Sequence, residues 1–180
     1  MLLTGCEPYE RDVGGRAFFS GLEGAEVPDF ASGRPDGYLD PRGLAEANVR
    51  EELEDGTVVL RARSALHLMK HVFETLRNDE RDVFLEQVLS NATRQEFASH
   101  GTELQEGYDF LRRNLDEIDR LFARMPMGEY SPNAVYQPMG KGVHRLRLVS
   151  GAGRDLKWQG IDMIMEGGQQ RLLWFYDASR

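Results

Sequence analysis

The stretch that decides the fold is Leu156–Asp177, LKWQGIDMIMEGGQQRLLWFYD. Leu156 and Trp158 share one phase of a two-residue alternation, and after Gly160 the apolar set moves to Ile161, Met163 and Met165. A bulge at Gly160 would restore a single buried face along a strand from Leu156 to Glu166. Gly167 and Gly168 have the composition of a two-residue hairpin turn, which sends the chain back through Arg171–Asp177. There Leu172, Trp174 and Tyr176 fall on one side and Leu173 and Phe175 on the other. Two apolar sides predict a strand that is central or covered on both faces.

Working backwards, Val143–Val149 alternates His144, Leu146 and Leu148 against Arg145 and Arg147. Gly140, Lys141 and Gly142 turn that strand onto Ala134–Gln137, and Gly151 with Gly153 makes the turn on its other side. Upstream the period becomes helical. From Ser64, residues Leu66, Met69, Val72, Phe73 and Leu76 are spaced to line one face. Asp79 is placed to cap a second helix carrying Val83, Phe84, Val88 and Leu89. Thr93 with Glu96, and Thr102 with Gln105, have capping-box spacing. The second box opens the longest amphipathic run, with Leu104, Tyr108, Leu111, Leu115, Ile118 and Phe122 over about five turns, and Pro126 ends it. Helices first and an antiparallel meander last define an α+β domain with helices packed on a curved sheet.

The 180 residues suffice for one core of ordinary size. Thr57, Val58, Val59 and Leu60 after the Asp55–Gly56 turn suggest the first strand, which puts the domain at 57–180. Residues 7–56 hold four of the seven prolines and no sustained period, so they read as an extended, mostly irregular acidic tether. Its few apolar spots, Phe18 with Phe19 and Leu22, and Leu44–Val49, have the makings of a short helix or of a segment docked on the domain. Residues 1–56 carry thirteen acids against five arginines, the whole of the net charge of -8. The remainder is neutral, which argues against a nucleic-acid partner because phosphate contacts need a basic surface. No apolar run approaches the roughly 20 residues of a membrane-spanning helix, and a single cysteine excludes a disulfide-stapled domain. These features bound a class rather than a reaction.

Ala65–Phe97, with its paired helices and the run Val88, Leu89, Ser90, Asn91, Ala92, Thr93, Arg94, Gln95, Glu96, Phe97, resembles the opening of nuclear-transport-factor-2-like domains, including small bacterial lipoprotein versions. The bent terminal strands extend the resemblance over Ser64–Asp177. It implies a cystatin-like cone of sheet and helices, and in enzymes of this fold, such as ketosteroid isomerase and related cyclases, the cone sets an acid or histidine base and an aromatic hydroxyl against a small molecule. Candidate pocket residues are His144, Tyr108, Tyr136, Trp158, Trp174 and Tyr176; Asp162 lies on the strand face opposite Ile161 and Met163. A cone filled by Trp158, Met163, Trp174 and Phe175 would count against catalysis.

Leu3, Thr4, Gly5 and Cys6 match the bacterial lipobox, in which small residues admit the backbone to the signal peptidase and the cysteine sulfur carries diacylglycerol. Residues 1–6 thus resemble the remnant of a lipoprotein signal peptide, and a glycine-containing acidic segment after them suits a tether. A complete signal segment adds a basic stretch and an apolar run of about 7–15 residues, whereas Met1 and Leu2 precede the box here. His67, His71 and Glu74 lie at i, i+4 and i+7, but Leu68 stands where a metalloprotease helix has glutamate, and a half-exposed polar stripe explains them without a metal. No Ser/His/Asp set, phosphate loop or Cys/His cluster can be assembled, and no cofactor is expected. The expectation is therefore a lipid-anchored, non-enzymatic module of the cell envelope, facing the periplasm or exterior, that binds a partner protein or a small apolar ligand. The alternatives are a small isomerase- or cyclase-like enzyme and a cytoplasmic accessory subunit that forms a homodimer through its sheet.

Overall fold

Ser64 starts the first long helix in the way its side chain dictates: extended backbone at the cap, with Oγ accepting from the His67 amide at 3.2 Å. The computed structural model describes residues 49–178. A short hairpin of β1 (Arg50–Glu52) and β2 (Val58–Leu60) precedes α1 (Ala65–Arg77). A single helical turn, α2 (Arg81–Val83), passes into a π-helical turn over Phe84–Val88. Then come α3 (Asn91–Ser99), α4 (Leu104–Arg113) and α5 (Leu115–Ala123). The chain ends in four antiparallel strands, β3 (Ala134–Gly140), β4 (Val143–Leu148), β5 (Gly160–Glu166) and β6 (Gln169–Tyr176), ordered β3-β4-β5-β6. The protein is thus α+β, with helices before an antiparallel meander.

The core lies where α1, α4 and α5 meet one face of this sheet. Leu68, Val72, Leu76, Leu111, Ile118 and Leu121 from the helices and Leu146, Ile161, Met163 and Leu172 from the strands are fully buried. Each such side chain contributes about 1.5–3 kcal/mol of burial.

Several expectations are corrected by packing. The folded part starts before Thr57, because Arg50–Glu52 pairs with Val58–Leu60; Phe18, Phe19 and Leu22 lie outside the described residues, and Leu44–Val49 falls mostly outside them. The long helix is two. At Asn114 the backbone amide bonds to Leu111 O, and Nδ2 donates to Phe110 O at 2.7 Å, so the side chain competes with the helical ladder and breaks it. Neither capping box is used: Ser90 caps α3 by accepting from the Thr93 amide, and Glu103 precedes α4 without a side-chain cap. Asp79 is no cap either. It adopts φ 59°, and its carboxylate takes Arg112 at 2.9 Å. On α1 the buried stripe is rotated, so that His71 is inside and Leu66 is 39% exposed.

The bulge is displaced too. Asp162 pairs with Trp174 and Met163 with Leu172, which leaves Leu173 as the extra residue in β6. Leu156–Gln159 is irregular, and Gly160 begins β5 as a close approach, with no room for a Cβ beside Leu146 O. Strand β6 is last in the sheet order rather than central. Its free edge is met by the chain at Leu89–Thr93, where the Ser90 amide donates to Leu172 O at 2.9 Å and Thr93 Oγ1 to Leu173 O at 2.8 Å, and Trp174 on its outer side packs against Phe97.

Candidate functional site

The bulge at Leu173 determines which side chains share the outer face of the sheet. Side chains alternate along a strand, so Ile161 and Met163 face the helices while Asp162 faces away. One extra residue in β6 turns Leu172 and Phe175 inward and brings Trp174 and Tyr176 to the side of Asp162. Arg145, opposite Asp162 on β4, completes the set. Phe110 of α4 and the Lys157–Trp158 loop close a cleft of about 370 Å³, which is also lined by Phe175 and Asp177.

Its floor is a fixed plate. Arg145 Nε donates to Asp162 Oδ1 at 2.6 Å and Nη2 to Oδ2 at 2.7 Å, a bidentate pair with both side chains under a quarter exposed. The guanidinium carbon stands 3.7 Å from the Tyr176 ring centroid. The bond to Asp162 holds the Arg145 guanidinium above its ordinary pKa, so it stays charged. The walls are aromatic. Trp158 packs on Phe175 at 4.6 Å between centroids and on Phe110 at 6.1 Å, edge-on. Trp174 leans on Phe97 of α3 at 5.6 Å. Gly107 permits that contact, because a Cβ there would stand 2.7 Å from the Phe97 ring. Lys157 Nζ lies over Phe110 and Trp158 and donates to Asn114 Oδ1 at 2.7 Å.

Of the six pocket residues expected from the sequence, Trp158, Trp174 and Tyr176 come together here and three do not. Tyr136 and His144 stack on each other, with centroids 5.1 Å apart and planes 11° apart, on the face of the sheet that carries Leu146 and Met163. The Tyr136 hydroxyl meets the side-chain amide of Gln170, and burial raises its pKa. Tyr108 is buried among helices; its hydroxyl donates to Thr75 O at 3.2 Å and Asp79 Oδ1 at 3.3 Å, and burial before all else pushes its pKa up to about 12. That places it in a structural junction. Where a cone would open, Trp158, Met163 and Phe175 are all buried, while Trp174 is half-buried. Cys6 lies outside the described residues.

His71, the middle member of the triad on α1, is turned into the core. Among the described residues no group of three or more His, Cys, Asp or Glu side chains converges on a metal position. Arg145, Phe110, Lys157 and Asp177 escaped notice in the sequence. Arg145 shares a strand face with Arg147 in the alternation of Val143–Val149, and its grouping with Trp174 and Tyr176 depends on the register of β6, which nothing near it encodes. The one available signal was the juxtaposition of Lys157 and Trp158 just before a strand.

No family model matches the sequence, and no curated protein or solved structure is significantly similar to it. What the chain itself defines is an α+β domain with an aromatic cleft on the outer face of its sheet.

Proposed function

We propose that the protein is a non-enzymatic binding module whose ligand sits in the cleft bounded by Arg145, Trp158, Trp174 and Tyr176, and that Cys6 carries a lipid anchor holding it in the bacterial cell envelope. The observation that carries the binding role is the Arg145–Asp162–Tyr176 plate: a charged group already paired, oriented and stacked at the floor of an open aromatic cleft. Preorganisation of this kind lowers the cost of ordering on binding. Binding is favoured over catalysis because both carboxylate oxygens of Asp162 are taken by Arg145. A base with its lone pairs so engaged is poorly placed to abstract a proton. The order of helices before a bent four-stranded meander supports kinship with nuclear-transport-factor-2-like domains, and the Leu3–Cys6 motif alone supports the anchor.

The chain has two tryptophans, and both line the cleft. Titration with a panel of small amphipathic compounds, followed through the two indole N–H resonances, tests the binding role directly. Saturable shifts of those resonances support it; shifts scattered over the surface, or none at millimolar ligand, refute it. For the anchor, intact mass of protein made in a bacterium from the full upstream reading frame is compared with Cys6→Ser. A lipid's mass on the wild type alone supports the tether, and no added mass removes it in favour of a cytoplasmic domain.

A further inference from the structure

Four charged residues line the cleft, Arg145 and Lys157 against Asp162 and Asp177, so their charges cancel as a sum and do not by themselves choose a ligand. What differs is how far each is already engaged. Arg145 and Asp162 satisfy one another through two hydrogen bonds, and Asp177 has a partner of its own. Lys157 is the exception. Its ammonium carries three donors; one goes to the neutral Asn114 Oδ1 at 2.7 Å, and among the described residues no carboxylate lies within ion-pair distance of it. The acid beside it, Glu117, accepts from the Lys157 backbone amide at 3.4 Å and pairs its carboxylate with Arg120 at 2.8 Å.

The Lys157 ammonium also has a defined place. Nζ stands 4.5 Å from the centroid of Phe110 and 4.9 Å from that of Trp158, which holds this exposed side chain against the cleft. Trp158 and Phe175 are buried, so the ring surface left to a ligand belongs to the half-buried Trp174, Tyr176 and Phe110. A molecule that uses both features sets an aromatic body on those rings and a negative group on the two open N–H donors, a charge-assisted contact. An ammonium ligand would instead find both lining acids already engaged. Resting on the binding role proposed above, we infer that the cleft takes a small amphipathic anion, an aryl carboxylate in its simplest form, whose carboxylate accepts from Lys157 Nζ.

The test holds the ring constant and varies the charge. Sodium phenylacetate, phenylacetamide and phenethylammonium chloride are titrated into the full chain at constant ionic strength, with the two indole N–H resonances as readout. Phenylacetate should bind about two- to fivefold more tightly than phenylacetamide, the worth of an exposed ion pair, and phenethylammonium should bind most weakly. Lys157→Gln removes the charge from an exposed position, so the preference for phenylacetate over phenylacetamide should fall to about one. Equal affinity for the acid and the amide in the wild type, or a preference for the ammonium compound, keeps the cleft as a binding site and overturns the anion assignment. A preference for phenylacetate that persists in Lys157→Gln places the charge recognition elsewhere and overturns it too. No saturable shift with any of the three overturns the anion assignment together with the binding role beneath it.

Discussion

His71 directs Nε2 at the backbone carbonyl of Arg61, 3.2 Å away, from a side chain only 1% exposed. That bond ties α1 to the segment leaving β2, and it is made by a neutral imidazole, since the other ring nitrogen, Nδ1, is buried without a partner. Burial, reinforced by the nearby charges of Lys70 and Arg50 and by His67, holds the pKa at about 4 against an ordinary 6.5. Because the folded value is depressed, the unfolded chain takes up the proton first as pH falls. Stability is therefore complete above pH 6.5 and is lost progressively toward pH 4, by up to about 3 kcal/mol at the lower end. Thermal melts from pH 8 to pH 4 should show this decline. His71→Gln, which keeps a donor for the Arg61 carbonyl and cannot titrate, should flatten it; an equal decline in the variant would assign the effect to other groups.

Gln87 does for β2 what a neighbouring strand would. Its Oε1 accepts from the Leu60 amide at 2.9 Å and its Nε2 donates to Val58 O at 2.6 Å. Gln87→Ala leaves two partly buried backbone groups unpaired, at a cost of about 1–3 kcal/mol each if water does not reach them. Gln87→Glu keeps the acceptor and loses the donor, so it should fall between wild type and alanine. Hydrogen exchange at the Leu60 amide reads the effect locally: it should accelerate in Gln87→Ala ahead of global unfolding, and unchanged protection would show that the hairpin is held by other contacts.

Local chemistry was legible in the sequence, and choices made by distant partners were not. Gly167–Gly168 as a two-residue turn with both φ positive depends on adjacent residues only and is as expected, and the change to a helical period at Ser64 marks where α1 begins. The apolar set Tyr108, Leu111, Ile118 and Phe122 is likewise buried, although Asn114 splits its helix. The phase shift near Gly160 was visible, but whether β5 or β6 absorbs it depends on pairing across the sheet. Every face assignment in β6 follows from that choice, and with it the grouping of Trp174 and Tyr176 with Arg145 and Asp162. The rotation of α1 that buries His71 is decided by what the helix packs against, namely α4, α5 and β6.

Gly160 offers a sharp test of the β4–β5 contact. A Cβ at this position would stand 2.2 Å from Leu146 O and 2.7 Å from Arg147 Cα, both backbone atoms that cannot swing aside. Gly160→Ala should therefore cost about 3 kcal/mol or more, at or beyond the upper end of ordinary overpacking. Urea unfolding measures it, and a change within about 0.5 kcal/mol, the scale of a neutral surface substitution, would contradict the close approach.

The Arg145–Asp162 pair sits between two regimes, and its coupling energy locates it. At 22% and 23% side-chain exposure it is more protected than a surface ion pair, yet water reaches both groups. Exposed pairs contribute about 0.2–1 kcal/mol, whereas losing one member of a fully buried pair costs about 3–5 kcal/mol. A double-mutant cycle with Arg145→Met and Asp162→Asn should give a coupling of about 1–2 kcal/mol, intermediate between those limits. Arg145→Lys is the more telling variant. A lysine keeps the charge but offers Asp162 no planar fork and stacks less well on Tyr176, so most of the coupling should vanish. If Arg145→Lys instead retains it, attraction between the charges rather than the bidentate, stacked geometry organises the floor of the cleft, and tryptophan emission should then be unchanged in that variant as well.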